Sequence, residues 1–181
     1  MFGICNLAII PLRAEPSDRS EIVSQVLFGE HFEVVEELKQ WRRIKLHYDA
    51  YEGWVDSKQF QIISEAAYNT LSKEPIVLNA DLIDYISAPN NILLPIPLGA
   101  SLSFLQHGDI NTTQFEFEGT KTSGIQDKNQ LISTAFMYLN APYLWGGKTP
   151  FGIDCSGFTQ MVYKLNGYHL FRDASQQATQ G

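Results

Sequence analysis

The stretch from Tyr143 to Phe158, YLWGGKTPFGIDCSGF, constrains the fold of this chain more than any other part of the sequence. Its glycines and aromatic residues make poor core material, and they are typical of a loop that leaves space for a ligand. The loop ends at Asp154 and Cys155, and the apolar residues after it recur with helical spacing: Phe158, Met161, Val162 and Leu165. The stretch therefore predicts a loop that brings one cysteine to the N-terminus of a helix.

Cys155 has two interpretations, a reactive thiol or a buried structural residue. A cysteine reacts as a thiolate, and the free N–H groups and partial positive charge of a helix N-terminus favour that form. Asp154 occupies the expected N-cap position, and Gly157 in the first turn lets a substrate or a second backbone approach closely. Isolated cysteines are more often structural, but the composition of the loop favours a nucleophile here.

The charge balance and the first residues exclude several functional classes. With 13 basic and 20 acidic residues the net charge is −7, which argues against sequence-independent binding of nucleic acid, and no basic run indicates a membrane-binding surface. The apolar segment 1–12 lacks a positively charged start and contains Asn6 and Pro11, so it predicts a first strand rather than a signal peptide.

The two cysteines, Cys5 and Cys155, are too few and too far apart in the sequence to indicate a disulfide framework. Cys5 lies in the apolar first segment and is interpreted as a small buried residue. No metal-ligand spacing, phosphate loop or nucleotide fingerprint is present, so we expect no cofactor. Together these features predict a cytoplasmic protein.

The spacing of apolar residues changes along the chain. Residues 1–63 contain five or six short strand-like segments separated by turns, which predicts a small β-barrel. Residues 64–124 are interpreted as a linker, up to about residue 90, and a second, diverged barrel from Ile92 onward. After Gly124 the spacing becomes helical over 127–139, with Asp127 as the expected N-cap. One face of this helix is predicted to be apolar: Leu131, Ile132, Ala135, Phe136 and Leu139.

Two groups of motifs resemble known families. The segments FGEHFEVVEEL, WRRIKL and YEGWV of the first part resemble a bacterial SH3-like domain. The segment PYLWGGKTPFGIDCSGFTQMVY resembles the nucleophile region of the NlpC-like cell-wall cysteine peptidases, and RDASQQ, Arg172 to Gln177, matches a second element of that family. The resemblance implies an α+β chain with one or two small SH3-like β-barrels, followed by the N-terminal helical half of a papain-like cysteine peptidase domain at 125–181.

The resemblance also implies a reaction and a substrate class. Members of this family hydrolyse peptides of peptidoglycan, typically at the bond between the γ-carboxyl of D-glutamate and a diamino acid. An N-terminal pair of SH3-like domains occurs in members that trim free murein peptides. We therefore expect a cysteine endopeptidase that acts on murein peptides with a free N-terminal L-Ala, in peptidoglycan recycling or turnover.

The family roles carry over to individual residues. The resemblance implies that Cys155 is the nucleophile, that Tyr143 places a hydroxyl near the oxyanion, and that Trp145 forms a wall of the substrate cleft. It also implies that Asp154, Ser156 and Asp173 line the pocket that binds the free N-terminus of the substrate. Two further substrate-binding residues, Tyr51 and Glu21, are implied at the barrel. Carboxylates suit an ammonium group. Tyr51 and Glu21 can equally be surface residues of barrel turns.

A catalytic cysteine also needs a base, normally a histidine. The sequence has four: His31, His47, His107 and His169. The first three lie in expected barrel segments, and the predicted helix would carry His169 away from Cys155. In the family resembled, the catalytic histidine lies on a strand further downstream, whereas 26 residues (181 − 155) follow Cys155 here. We therefore expect a truncated chain that is inactive by itself.

A different interpretation is a non-catalytic wall- or peptide-binding module with a dead peptidase remnant. The expected truncation before the catalytic histidine favours this interpretation, while the intact Tyr-x-Trp-Gly-Gly and Asp-Cys-Ser-Gly motifs favour an active, longer parent protein. In both cases the helices at 127–139 and 155–165 would lack a covering sheet. Their apolar faces would then favour self-association through the incomplete peptidase half, or disorder of that half.

Overall fold

Seven strands of residues 1–63 form one antiparallel sheet in the computed structural model, which describes residues 1–107, 109–110 and 113–180. The strands are β1 (Phe2–Ile4), β2 (Ile9–Arg13), β3 (Ile22–Leu27), β4 (His31–Leu38), β5 (Trp41–Leu46), β6 (Glu52–Asp56) and β7 (Gln61–Ile63). Their order is β3-β2-β6-β5-β4-β1-β7. The β-rich first part is thus confirmed, and segment 1–12 is extended as expected, although a bend at Leu7 and Ala8 divides it into β1 and β2.

Alternation of buried and exposed residues along these strands builds the core of the first barrel. Its buried members are Cys5, Ile10, Leu12, Val26, Phe32, Val34, Ile44, Leu46 and Val55. Cys5 is fully buried, and its thiol donates a hydrogen bond of 3.1 Å to the carbonyl oxygen of Leu7. Burial raises the pKa of Cys5, which is consistent with a structural cysteine.

The next part of the chain begins with a helix that the sequence did not predict, α1 (Glu65–Leu71), capped by the Ser64 hydroxyl, which accepts from the N–H of Ala67. Its strands are β8 (Val77–Asn79), β9 (Ile83–Ala88), β10 (Ile92–Pro97), β11 (Asp109–Ile110), β12 (Thr113–Gln114) and β13 (Lys121–Ser123), with 3₁₀ turns at Pro89–Asn91 and Ser103–His107. The interpretation of residues up to 90 as a connection is therefore wrong, because strands begin at Val77.

The six strands of this second part pair as β9 with β10, β11 with β12 and β8 with β13, in three two-stranded sheets. The core is shared with the first barrel, since Ile4, Phe28 and Ile63 pack with residues of the second part: Ile86, Ile96, Ala100, Leu102, Phe104 and Phe117. The boundaries predicted at 63 and 124 stay a prediction.

The last part contains α2 (Asn129–Phe136), β14 (Lys148–Thr149), β15 (Gly152–Ile153), α3 (Cys155–Leu165) and α4 (Ala174–Gln177). The predicted helix after the loop is confirmed as α3, and its apolar residues pack on both preceding parts. This third core consists of Leu27, Leu78, Leu98, Tyr138, Ile153, Met161, Val162 and Leu165. None of the helices formed by the described residues has the length and apolar character needed to cross a membrane.

Helix α2 is shorter than predicted, and only part of its predicted apolar face is buried. It covers Asn129–Phe136 rather than 127–139, and Lys128 rather than Asp127 is its N-cap residue. Asp127 still accepts a hydrogen bond from the N–H of Asn129 through its carboxylate. The expected single apolar face is wrong: Leu131 and Ala135 pack against the core, whereas three others remain exposed, Ile132 at 65%, Phe136 at 65% and Leu139 at 67%.

Candidate active site

Cys155 is the first residue of α3, and its side chain is exposed to solvent. The helix begins there because Asp154 has extended backbone angles and its Oδ1 accepts from the N–H of Gly157 at 2.7 Å. Oδ2 of the same carboxylate accepts from the N–H of Gly146 at 2.9 Å, which ties the preceding loop to the helix. The predicted N-cap is therefore confirmed, and Cys155 lies in the first turn of the helix, where backbone N–H groups have no partners within the helix.

The carboxylate of Asp154 forms a buried ion pair with Arg172, whose side chain is 1% exposed. The guanidinium donates to Oδ2 at 2.7 Å and to Oδ1 at 3.1 Å, and it also bonds the hydroxyls of Ser156 at 2.8 Å and Ser24 at 3.0 Å. Burial by itself would raise the pKa of Asp154, but the bonds from Arg172 and Gly157 hold it below its usual value. The carboxylate of Asp154 therefore stays charged, and its charge is balanced by the guanidinium of Arg172.

Strand β3 of the first barrel contacts the loop that precedes α3. The indole N–H of Trp145 donates to Oε1 of Glu21 at 2.5 Å, and the N–H of Lys148 donates to Oε1 of Gln25 at 2.7 Å. Between them Gly146 has φ +78°, and a Cβ there would lie 2.3 Å from the carbonyl oxygen of Ile22. Glycine is required at this position both for the backbone angle and for the close approach of the two segments.

A second contact joins the barrel to the segment after α3. The hydroxyl of Tyr51, just before β6, donates to Oδ1 of Asp173 at 3.0 Å. Burial and the neighbouring carboxylate raise the pKa of Tyr51, so the phenol remains a protonated donor. Asp173 is the N-cap residue of α4, and its own backbone N–H donates to Oε1 of Gln176.

All eight predicted site residues line one cleft of about 370 Å³: Glu21, Tyr51, Tyr143, Trp145, Asp154, Cys155, Ser156 and Asp173. Tyr143 and Trp145 are 67% and 60% exposed, so their rings form open walls. Three carboxylates and one guanidinium line the cleft, which gives it an acidic character. Sequence reasoning assigned no role to Arg172, although RDASQQ contains it, because a lone arginine between polar residues gives no sign of being buried.

The histidines with described side chains lie elsewhere. His31 and His47 stack with ring centroids 4.6 Å apart, against Tyr68 of α1. Nε2 of His169 lies 2.6 Å from the carbonyl oxygen of Tyr48. None of these three lines the cleft around Cys155. The side chain of His107 lies outside the described part of the chain.

Comparison with known proteins identifies the family. Residues 12–60 match the bacterial dipeptidyl-peptidase SH3 domain, and residues 140–181 match the NlpC/P60 family. The chain is 30% identical over 188 residues to dipeptidyl-peptidase 6 of Lysinibacillus sphaericus, with 90% of this chain and 69% of that protein covered. The chain belongs to the NlpC/P60 family. Both motif groups, the barrel segments and the cysteine loop, therefore belong to a peptidase chain of this family.

Two further similarities place this NlpC/P60 chain among its relatives. It is 30% identical over 175 residues to the γ-D-glutamyl-L-lysine dipeptidyl-peptidase of Bacillus subtilis, where the match covers 88% of this chain and 58% of the relative. A crystal structure of an NlpC/P60 protein from Bacillus cereus superposes with a TM-score of 0.81 at 20% identity, over 100% of this chain and 77% of the other. The fold class is thus confirmed, and the chain spans little more than half of the Bacillus subtilis relative.

Proposed function

We propose that this chain carries the barrels and the nucleophile half of a cysteine peptidase, which hydrolyses the γ-D-glutamyl–diamino acid bond of murein peptides with a free N-terminus. The observation that carries the proposal is the exposed Cys155 at the N-terminus of α3, in a cleft that residues of the first barrel also line. The names of the relatives, which include γ-D-glutamyl-L-lysine dipeptidyl-peptidases, support the choice of bond.

In the proposed reaction the Cys155 thiolate attacks the γ-carbonyl carbon of D-glutamate and forms a tetrahedral oxyanion. The exposed hydroxyl of Tyr143, at the same cleft, is the donor that would stabilise this oxyanion. Collapse of the intermediate breaks the C–N bond and releases the diamino acid amine, which takes up a proton from a general acid. Water then hydrolyses the thioester, returning the free thiol and a dipeptide carboxylate.

The free N-terminus would bind at the barrel end of the cleft. Asp154 is already paired with Arg172, so the carboxylates left to attract an ammonium group are Glu21 and Asp173. Glu21 accepts a hydrogen bond from Trp145 and Asp173 accepts one from Tyr51, and a carboxylate can accept several in all. The acidic cleft therefore favours a short peptide with a charged amine, which suits free murein peptides and their recycling in the cytoplasm.

Binding tests the substrate proposal without requiring turnover. Calorimetric titration of the Cys155→Ser chain with L-Ala-γ-D-Glu-L-Lys is expected to give an affinity at least tenfold higher than titration with the N-acetylated tripeptide. Acetylation removes a charge-assisted hydrogen bond, which contributes about 1.5–3 kcal/mol. Equal affinities for the two peptides would rule out recognition of the free amine.

We further propose that the 181-residue chain does not hydrolyse these peptides by itself. The position of His169, bonded to Tyr48 and outside the cleft, supports this, because the Cys155 thiol needs a base within hydrogen-bond reach to become a thiolate. Incubation with the tripeptide and analysis of the products by mass spectrometry is expected to show no cleavage. A rate that disappears in Cys155→Ala would contradict the proposal.

A further inference from the structure

Three charged side chains are buried at the junction of the first barrel and the peptidase half, and the proposed reaction does not use them. Oε1 of Glu30 accepts from Nζ of Lys164 at 2.5 Å and from Nζ of Lys148 at 3.4 Å. Oε2 of Glu30 accepts from the backbone N–H of Leu27 at 2.8 Å. We call Glu30, Lys148 and Lys164 the junction triad. Its members lie outside the residues that line the cleft.

The electrostatics of the junction triad depend on all three members. Burial by itself would raise the pKa of Glu30, but the two ammonium groups lower it to about 2. Burial lowers the pKa of Lys148, and the Glu30 carboxylate opposes that change. Buried ion pairs can often be replaced by apolar side chains without loss of stability, so a role in stability does not by itself explain the triad. Selection of one arrangement over others is the alternative role for such groups.

The connections of the triad indicate which arrangement it selects. Glu30 lies in the turn between β3 and β4, on the barrel. Lys148 lies three residues after Trp145, at the start of β14 in the segment before α3, and its backbone N–H also bonds Gln25 of β3. Lys164 lies near the end of α3, the helix that begins at Cys155. One carboxylate of the barrel therefore holds both the loop and the helix that form the cleft.

The barrel contributes only the anion to the triad, and the peptidase half contributes both cations. A rotation or slide of one part against the other would separate the Glu30 carboxylate from both ammonium groups and leave buried charges without their counter-ions, which is unfavourable. Apolar packing alone is less selective, because it tolerates many arrangements of similar area. The pairing thus opposes other orientations of the barrel more strongly than apolar contacts would.

We propose that Glu30 is a positioning residue, which through Lys148 and Lys164 fixes the orientation of the barrel that brings Glu21 to Trp145. It acts on the cleft without touching a ligand. The inference extends the proposed function. Its ligand-binding measurement depends on that function, whereas its structural measurement, the Trp145 signal, does not depend on any substrate.

The test is a triple variant, E30M/K148M/K164M, which removes all three charges and keeps side chains of similar length. In the NMR spectrum of ¹⁵N-labelled protein, the three tryptophans give three indole N–H signals, and the signal that is missing in W145F belongs to Trp145. The variant E21Q shows where the Trp145 signal lies when its partner is not a carboxylate. The triple variant is expected to unfold cooperatively at no lower urea concentration than the parent. Its Trp145 signal is expected to move toward the E21Q position, and its affinity for L-Ala-γ-D-Glu-L-Lys to fall at least tenfold.

The matched control is E36M/R43M, which removes an exposed ion pair of the same barrel and should leave the Trp145 signal in place. A parental Trp145 signal in the folded triple variant would overturn the proposal. A triple variant that does not fold would also overturn it, because the triad would then supply stability rather than orientation. If the parent does not bind the tripeptide but the Trp145 signal moves, the positioning role stands and the proposed function fails.

Discussion

Trp145 and Glu21 are 124 residues apart in the sequence, and the indole N–H of Trp145 donates a hydrogen bond to the Glu21 carboxylate. The bond joins the loop before α3 to the residue before β3 of the first barrel. The wall of the cleft is therefore held from two parts of the fold, and the barrel takes part in its shape. A change of charge at Glu21 should consequently alter binding in the cleft while the peptidase half keeps its fold.

Replacing Glu21 with Gln removes one negative charge and keeps an oxygen that accepts from Trp145. We expect the affinity for L-Ala-γ-D-Glu-L-Lys to fall about tenfold, since a hydrogen bond to a charged group contributes about 1.5–3 kcal/mol. The affinity for the N-acetylated peptide should stay the same. Calorimetric titration measures both. Glu36→Gln, on the exposed surface of the same barrel, is the matched control, and an equal loss in both variants would argue against a local role.

Replacing Tyr51 with Phe removes the donor to Asp173 and keeps the ring. We expect the free energy of unfolding to fall by about 1 kcal/mol, the usual contribution of one hydrogen bond. Because the pKa of Tyr51 is raised, the loss should be the same at pH 7 and pH 9. Urea denaturation at the two pH values measures it. Tyr85→Phe, an exposed tyrosine of the β9–β10 hairpin, should change stability by only a few tenths of a kcal/mol.

The sequence was most informative where the chemistry is local. The loop and helix around Cys155 follow from glycines, an N-cap and apolar spacing within 20 residues, and the structure has them as predicted. Glu21 and Tyr51 lie more than 90 residues away in the sequence. Only the family resemblance pointed to them, since nothing in their own segments distinguishes a cleft residue from a surface turn.

The buried charges could not be predicted from the sequence. Arg172, Glu30, Lys148 and Lys164 all belong to residue types that are normally exposed, and their partners come from distant segments. Helix α2 was mispredicted for a related reason. Its apolar spacing identifies a helix, but only tertiary contacts decide which part of a wide apolar face is buried. In this structure Leu131 and Ala135 pack against the core, whereas Ile132 remains exposed.

Replacing Arg172 with Met leaves the Asp154 carboxylate buried without its cation. We expect the free energy of unfolding to fall by about 3–5 kcal/mol at pH 7. Arg172 holds the pKa of Asp154 below its usual value in the parent, so the parent keeps this carboxylate charged in acid, whereas protonation in the variant removes the unpaired buried charge. The difference should therefore shrink as the pH falls through about 4. Urea denaturation at pH 7 and pH 3.5 measures the change.

The double variant Asp154→Asn/Arg172→Met removes both charges and is the control for this prediction. It should recover part of the stability, because no unpaired charge remains buried. A single variant that is within 1 kcal/mol of the parent at pH 7 would show that the ion pair contributes little. A double variant less stable than Arg172→Met would show that the loss comes from packing rather than charge.

The stacked pair of His31 and His47 predicts a pH dependence of stability. Burial, followed by the proximity of His47, lowers the pKa of His31 to about 4, whereas an unperturbed histidine titrates near 6.5. Above pH 6.5 both the folded and the unfolded states hold His31 neutral, so the residue does not change stability there. Between about pH 6.5 and pH 4 only the unfolded state takes up the proton, and stability falls as the pH falls.

The expected loss from His31 over this range is on the order of 2–3 kcal/mol, since one pKa unit corresponds to about 1.4 kcal/mol. Urea denaturation at pH 7.5, 6, 5 and 4.5 measures it. His31→Gln keeps a polar side chain that can face the Ser72 hydroxyl, the present partner of Nε2, and should flatten the profile between pH 6.5 and 4.5. Removing only the neighbouring ring in His47→Gln should flatten it in part. Parallel profiles for the parent and His31→Gln would show that the buried ring does not control stability in acid.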